Sequence, residues 1–180
     1  MKDTKNIVYL AIYLALTIGL DFVKSFIPFL NMPSGGSINI ALIPITICSF
    51  HLGYQKGLIL GFMWFVLSSL IGLNNYFVSF GQIIFDYIIP SIILGLSSIF
   101  YNNKKIINAE LGIFLMMFIR TLSICFSGAY YWYNESEVAL SQNAWLFSLG
   151  YNLPYSIATT IMLLIVVPIL LKSLKKYLYN

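Results

Sequence analysis

The chain has 180 residues and a net charge of +4, with 59% hydrophobic and only 9% charged residues. Soluble domains carry about 25% charged residues, so this composition, with a mean hydropathy of +0.86, describes an integral membrane protein rather than a soluble domain. The positive balance comes from lysines at helix ends and does not point to nucleic acid.

Apolar runs of about 17–25 residues read as membrane spans. The expected fold is an all-α integral membrane protein, a single domain over residues 1–180 with six transmembrane helices. The spans fall at 7–30, 38–52, 58–73, 79–100, 109–132 and 145–171. The first run is too long for a signal-peptide core of about 7–15 residues and has no small-residue cleavage site, so a cleaved leader is not expected. NMPSGGS at 31–37 is a breaker loop, and GYQKG at 53–57 reads as a tight turn. The second span is short. Residues 74–78, 101–108 and 133–144 form the remaining loops, and nothing soluble is expected at either end.

Lysine placement orients the bundle. With six spans, one side carries Lys2, Lys5, Lys56, Lys104, Lys105, Lys172, Lys175 and Lys176. Loops 31–37, 74–78 and 133–144 on the other side have no Lys or Arg. The positive-inside rule then places both termini in the cytoplasm, in a multi-pass protein of the plasma membrane.

The fourth span, SFGQIIFDYIIPSIILGLSSIF, carries Asp86. A carboxylate in the bilayer costs about 2.5–3.5 kcal/mol on insertion scales and normally faces a partner or a wet cavity. Gln82 lies four residues earlier on the same face, and Tyr87 follows directly. The fifth span adds Arg120, Ser123, Ser127 and Tyr131, and ends at Trp132. The sixth adds Ser148, Asn152, Tyr155 and Thr159 in helical register, with Tyr151 beside them. These stripes are weighted to the outer half, which suits a pocket open outside and closed below. A small, flat ligand with a cationic part would suit it. Asp86 would meet the charge, and Trp132, Tyr131 and Tyr151 would stack on a ring, each cation–π contact worth about 0.5–2 kcal/mol.

Structural readings stand beside these. A buried ion pair between Asp86 and Arg120 is the structural alternative, and it is compatible with a binding site there. Trp132, Trp145, Tyr130, Tyr131 and Tyr133 fit an interfacial aromatic belt. Asp21 and Lys24, three apart, read as a local ion pair with a snorkelling lysine. His51 reads as an interfacial histidine. Cys48 and Cys125 have neither metal nor disulfide spacing and read as buried thiols. On the first span Ala11, Ala15 and Gly19 recur every four residues, a spacing that lets another helix approach closely.

Catalytic motifs and metal-ligand clusters are missing, so neither an enzyme nor a cofactor is expected. Uptake energy would have to come from a partner or an ion gradient.

MPSGGSINI (32–40), GQIIFDYIIP (81–90) and AWLFSLGYN (144–152), in a six-span chain of this size, resemble the thiamine-specific substrate-binding subunit of energy-coupling-factor (ECF) transporters. The similarity runs over nearly the whole chain. It implies a subunit that captures a vitamin from outside with high affinity. It also implies docking, through Ala11 and Ala15 of the first helix, onto a transmembrane coupling subunit that carries two ATPases. The family's pocket residues fall on Asp86, Tyr87, Arg120, Trp132 and Asn152. Two positions depart: Ile124 stands where relatives carry a histidine, and Phe147 where they carry a tyrosine. Each lost hydrogen bond is worth about 0.5–1.5 kcal/mol, so a related ligand such as the hydroxymethylpyrimidine precursor, or another vitamin, competes with thiamine. A standalone secondary transporter is the alternative from another class, but it calls for polar groups at mid-depth and an internal repeat.

Overall fold

The computed structural model describes residues 2–31, 36–73, 76–101, 105–133 and 138–174. Residues 32–35 of the breaker loop and Lys104, Lys175 and Lys176 lie outside the described residues, as does the side chain of Lys2. Helices carry the described chain: α1 (Lys2–Lys24), α2 (Leu42–Leu52), α3 (Tyr54–Leu70), α4 (Phe80–Phe100), α5 (Ile106–Tyr131) and α6 (Gln142–Ser173). By length and composition α1, α4, α5 and α6 are each able to cross a membrane, whereas α2 has 11 residues.

Several helix ends differ from those expected. α1 stops at Lys24, and the run continues as a short 3-10 turn, Pro28–Leu30. α2 starts at Leu42 rather than 38, because Asn39 is held in non-helical backbone: its N–H donates to Thr159 Oγ1 at 3.2 Å and its side chain accepts from Ala41 N–H at 3.1 Å. The turn expected over 53–57 is confined to Gly53, whose φ of 90° suits glycine. α3 follows at once, at Tyr54.

α4 is not a uniform helix. Ser79 caps it, accepting from Gln82 N–H at 3.2 Å. The chain then widens into a π-helical stretch, Ile83–Ile88, returns to α-helix at Ile89–Ile92, and tightens to 3-10 over Ile93–Phe100. Pro90 explains the wide turn, since it has no N–H for a carbonyl one turn back. In π register the Phe85 carbonyl would pair with residue 90. Ser123 of α5 takes that place, donating to Phe85 O at 2.7 Å. π-helical turns of this kind often mark functional positions, and Asp86 sits in this one.

Helices that gain little from apolar burial in lipid associate through close packing at small residues. The far half of α4 is held that way. A Cβ on Gly95 would lie 2.3 Å from the Gly57 carbonyl carbon, and one on Gly61 would lie 2.3 Å from Ser91 O. On the other side, a Cβ on Gly112 would lie 2.0 Å from Ser97 O. α4 is thus clamped between α3 and α5, backbone to backbone. Leu42, Ile45, Leu60, Leu94, Ile113, Met117 and Leu163 fill the core there without exposure.

α1 packs on α2 and α3 but stays largely uncovered. Asp21 anchors it. Its Oδ2 accepts from the Trp64 indole at 2.9 Å, and its Oδ1 pairs with Lys24 at 2.7 Å. The local ion pair expected from the sequence is therefore present, with Trp64 as an added partner. His51 at the end of α2 packs edge-on against Tyr9 and hydrogen-bonds with Tyr13 OH at 3.0 Å.

Candidate functional site

α4, α5 and α6 enclose a cavity of about 450 Å³, a size that suits a small organic ligand. Six of the residues singled out from the sequence line it: Asp86, Tyr87, Arg120, Trp132, Tyr151 and Asn152. Gly36, Ile124, Gly128, Phe147 and Tyr155 complete the wall.

The π-helical turn presents Asp86, and two donors fix it. Gln82 Nε2 and Trp132 Nε1 both donate to Oδ2, at 2.9 and 2.7 Å. Both bonds fall on one carboxylate oxygen, which leaves Oδ1 for an incoming donor. Trp132 lies just beyond the end of α5, 37% exposed, with the Tyr76 ring 5.3 Å away at a shallow tilt. Its indole is thus oriented by Asp86 on one edge and Tyr76 on one face.

Gln82 does not line the cavity. It is fully buried behind Asp86, where Nε2 also donates to Tyr76 O at 3.3 Å and Oε1 accepts from Val78 N–H at 3.3 Å. It ties the 76–78 segment to the carboxylate. The Tyr87 hydroxyl donates to the same Tyr76 carbonyl at 3.1 Å.

The opposite wall is built from α6. Asn152 Nδ2 donates to Ser148 O at 3.0 Å and Ser148 Oγ at 3.1 Å, and Tyr155 OH donates to Asn152 Oδ1. Ser148 Oγ donates to Cys125 O at 2.6 Å. Gly128 permits this contact, since a Cβ there would lie 2.3 Å from Ser148 Oγ. Phe147 and Tyr151 stack with ring centres 6.5 Å apart, and Tyr151 meets Tyr155 edge-on. Gly36, with φ of 75°, lies on the Tyr155 ring, where a side chain would collide with it.

Part of the polar stripes therefore serves the bundle. Ser123, Ser148 and Thr159 spend their hydroxyls on bonds between or within helices. Tyr131 places its hydroxyl against Gly81. Arg120 behaves differently: among the described residues it makes no ion pair with Asp86, and the pairing of Asp21 with Lys24 is the one found. Gly36 and Gly128 are wall residues that the sequence did not single out, and Tyr155 is one it placed on a polar stripe without assigning it to ligand binding. Tyr155 lies on the α6 stripe with Asn152, a signal that was legible. Gly36 carries no chemistry of its own and becomes visible only when the fold sets it on Tyr155. Among the described residues no cluster of His, Cys, Asp and Glu is able to hold a metal.

This arrangement defines a class: a helical membrane protein with a solute-sized cavity that offers one carboxylate, one guanidinium and several aromatic rings. The chain belongs to the thiamine transporter protein family (Thia_YuaJ), whose sequence model matches residues 9–179. That is a family of transporters rather than enzymes. A relative, the thiamine transporter ThiT of Bacillus subtilis (strain 168), is 29% identical over 98% of this chain and 95% of its own length. Among solved structures, ThiT from Listeria monocytogenes has the same fold, with a TM-score of 0.79 over 98% of both chains at 23% identity.

Proposed function

We propose that the chain is the substrate-binding subunit of an ECF uptake transporter in the plasma membrane, binding thiamine in the Asp86 cavity. The observation that carries this reading is the Asp86–Trp132 pair at 2.7 Å on the wall of a 450 Å³ cavity. Thiamine is a cation of two flat rings joined by a methylene bridge, with an exocyclic amino group on one of them. Asp86 Oδ1 would accept from the amino group or face the positive ring. Trp132, Tyr151 and Phe147 would cover ring faces, and Asn152 would orient an edge. Six spans with both termini in the cytoplasm would set the cavity toward the outside.

Coupling would use α1. Ala11, Ala15 and Gly19 are exposed on its uncovered face, and a Cβ on Gly19 would meet nothing within 4 Å. A face of small residues at this spacing accepts a close helix, here from a coupling subunit joined to two ATPases.

Ile124 and Phe147 on the wall favour a second reading, with the pyrimidine precursor as ligand. Equilibrium dialysis against labelled thiamine, with hydroxymethylpyrimidine as competitor, separates the two. Tight thiamine binding with weak competition is expected. Tight binding of the pyrimidine alone would reassign the ligand. Co-expression with ATPase and coupling subunits should yield a co-purifying complex that Gly19→Leu disrupts; an unaffected complex would move the docking face elsewhere.

A further inference from the structure

The cavity carries two formal charges on its walls, and the protein answers only one of them. Asp86 receives two N–H donors. Arg120 is 8% exposed and lines the cavity, and its Nε is buried with no hydrogen-bond partner. A guanidinium keeps its proton and presents five donors in a rigid fork. Buried without a partner it is costly, so it calls for an anion or a set of acceptors. Of the acceptors on the cavity wall, Asn152 Oδ1 takes Tyr155 and Asp86 Oδ2 takes Gln82 and Trp132, and among the described residues Asp86 forms no ion pair with Arg120.

We propose that Arg120 forms a binding site for a small monovalent anion of the halide class, filled together with the organic ligand. The proposal rests on the reading of this cavity as a thiamine site. Asp86 and Arg120 cancel, so a monocation alone would leave the loaded cavity with a net positive charge. An anion on Arg120 restores neutrality in a low-dielectric space, where charge balance counts most. The occupant is a free anion because thiamine has no acidic group to supply one. Two ligands that each favour the other's binding are linked reciprocally: the anion tightens thiamine, and thiamine tightens the anion by the same factor.

The test uses the full chain in detergent at constant ionic strength, with sodium gluconate replaced stepwise by sodium chloride or bromide. Thiamine is expected to bind about tenfold more tightly in the halide than in gluconate. Arg120→Met should abolish the difference between salts. Crystals grown in bromide should show an anomalous peak beside Arg120, a readout that needs no variant and stands if Arg120→Met misfolds. Equal thiamine affinity in halide and gluconate, or no bromide beside Arg120, overturns the proposal. Arg120→Met that weakens thiamine equally in both salts assigns the guanidinium to the ligand itself and also overturns it. Should thiamine bind in neither salt, the thiamine reading fails, and the bromide peak alone decides the anion site.

Discussion

The indole N–H of Trp132 donates to Asp86 Oδ2 at 2.7 Å across the α4–α5 boundary. The aromatic wall and the carboxylate are therefore one unit. A ligand that stacks on Trp132 meets a ring whose edge is pinned by the same group that would neutralise its charge. Such a pair is preorganised: the ordering cost is met by the fold before the ligand arrives.

Gln82 should behave as a positioning residue. It is fully buried, does not line the cavity, and holds Asp86, Tyr76 and Val78 together. Gln82→Leu would leave the Val78 N–H and a carboxylate oxygen short of a partner, at a cost of about 1–3 kcal/mol. Melting of the apo protein should fall, and ligand affinity should fall less than in Asp86→Asn. A large loss of affinity with unchanged melting would instead make Gln82 a direct ligand contact.

Asp21 has the opposite profile. It is 2% exposed and joins Trp64 and Lys24, none of the three being a cavity-lining residue. Removing one member of a buried pair costs about 3–5 kcal/mol. Asp21→Ala should depress thermal stability strongly yet leave thiamine affinity of the surviving folded fraction within about twofold. A selective loss of affinity would show that α1 senses the site.

Glycines should sort by what stands in front of them. Gly95→Ala would drive a methyl group into the Gly57 backbone, where neither helix is free to yield, and should destabilise by about 1–3 kcal/mol. Gly19→Ala meets open space and should be neutral or stabilising by up to about 1 kcal/mol. Differential scanning fluorimetry of the two variants checks both signs, and equal melting shifts would contradict the clamp.

How much of this was readable beforehand depends on the kind of signal. Asp86, Arg120 and Asn152 stood out because polar groups in apolar runs are rare, and the fold brings all three to one cavity. Gln82 was visible as the helical neighbour of Asp86, but spacing alone does not say whether a side chain reaches a cavity or supports one that does. The alternative reading, an Asp86–Arg120 ion pair, is not met among the described residues; Asp86 Oδ2 accepts from Gln82 and Trp132 instead. The π-helical turn at Ile83–Ile88 was hidden: Pro90 signals a local break, but the answer to it, Ser123 on Phe85 O, comes from another helix. The late start of α2 is hidden likewise, since Thr159 lies 120 residues from Asn39.

The most direct test is a tryptophan fluorescence titration with thiamine. The chain has three tryptophans. Trp64 is bonded to Asp21, and of the three only Trp132 lines the cavity, so a bound ring there should be reported chiefly by Trp132. The account predicts saturable quenching at submicromolar thiamine, lost in Trp132→Phe. It also predicts that Asp86→Asn weakens affinity by about 10–100-fold, the worth of a charge-assisted contact, without lowering the melting temperature to match. No saturable response to thiamine or its pyrimidine moiety, or wild-type affinity in both variants, would contradict it.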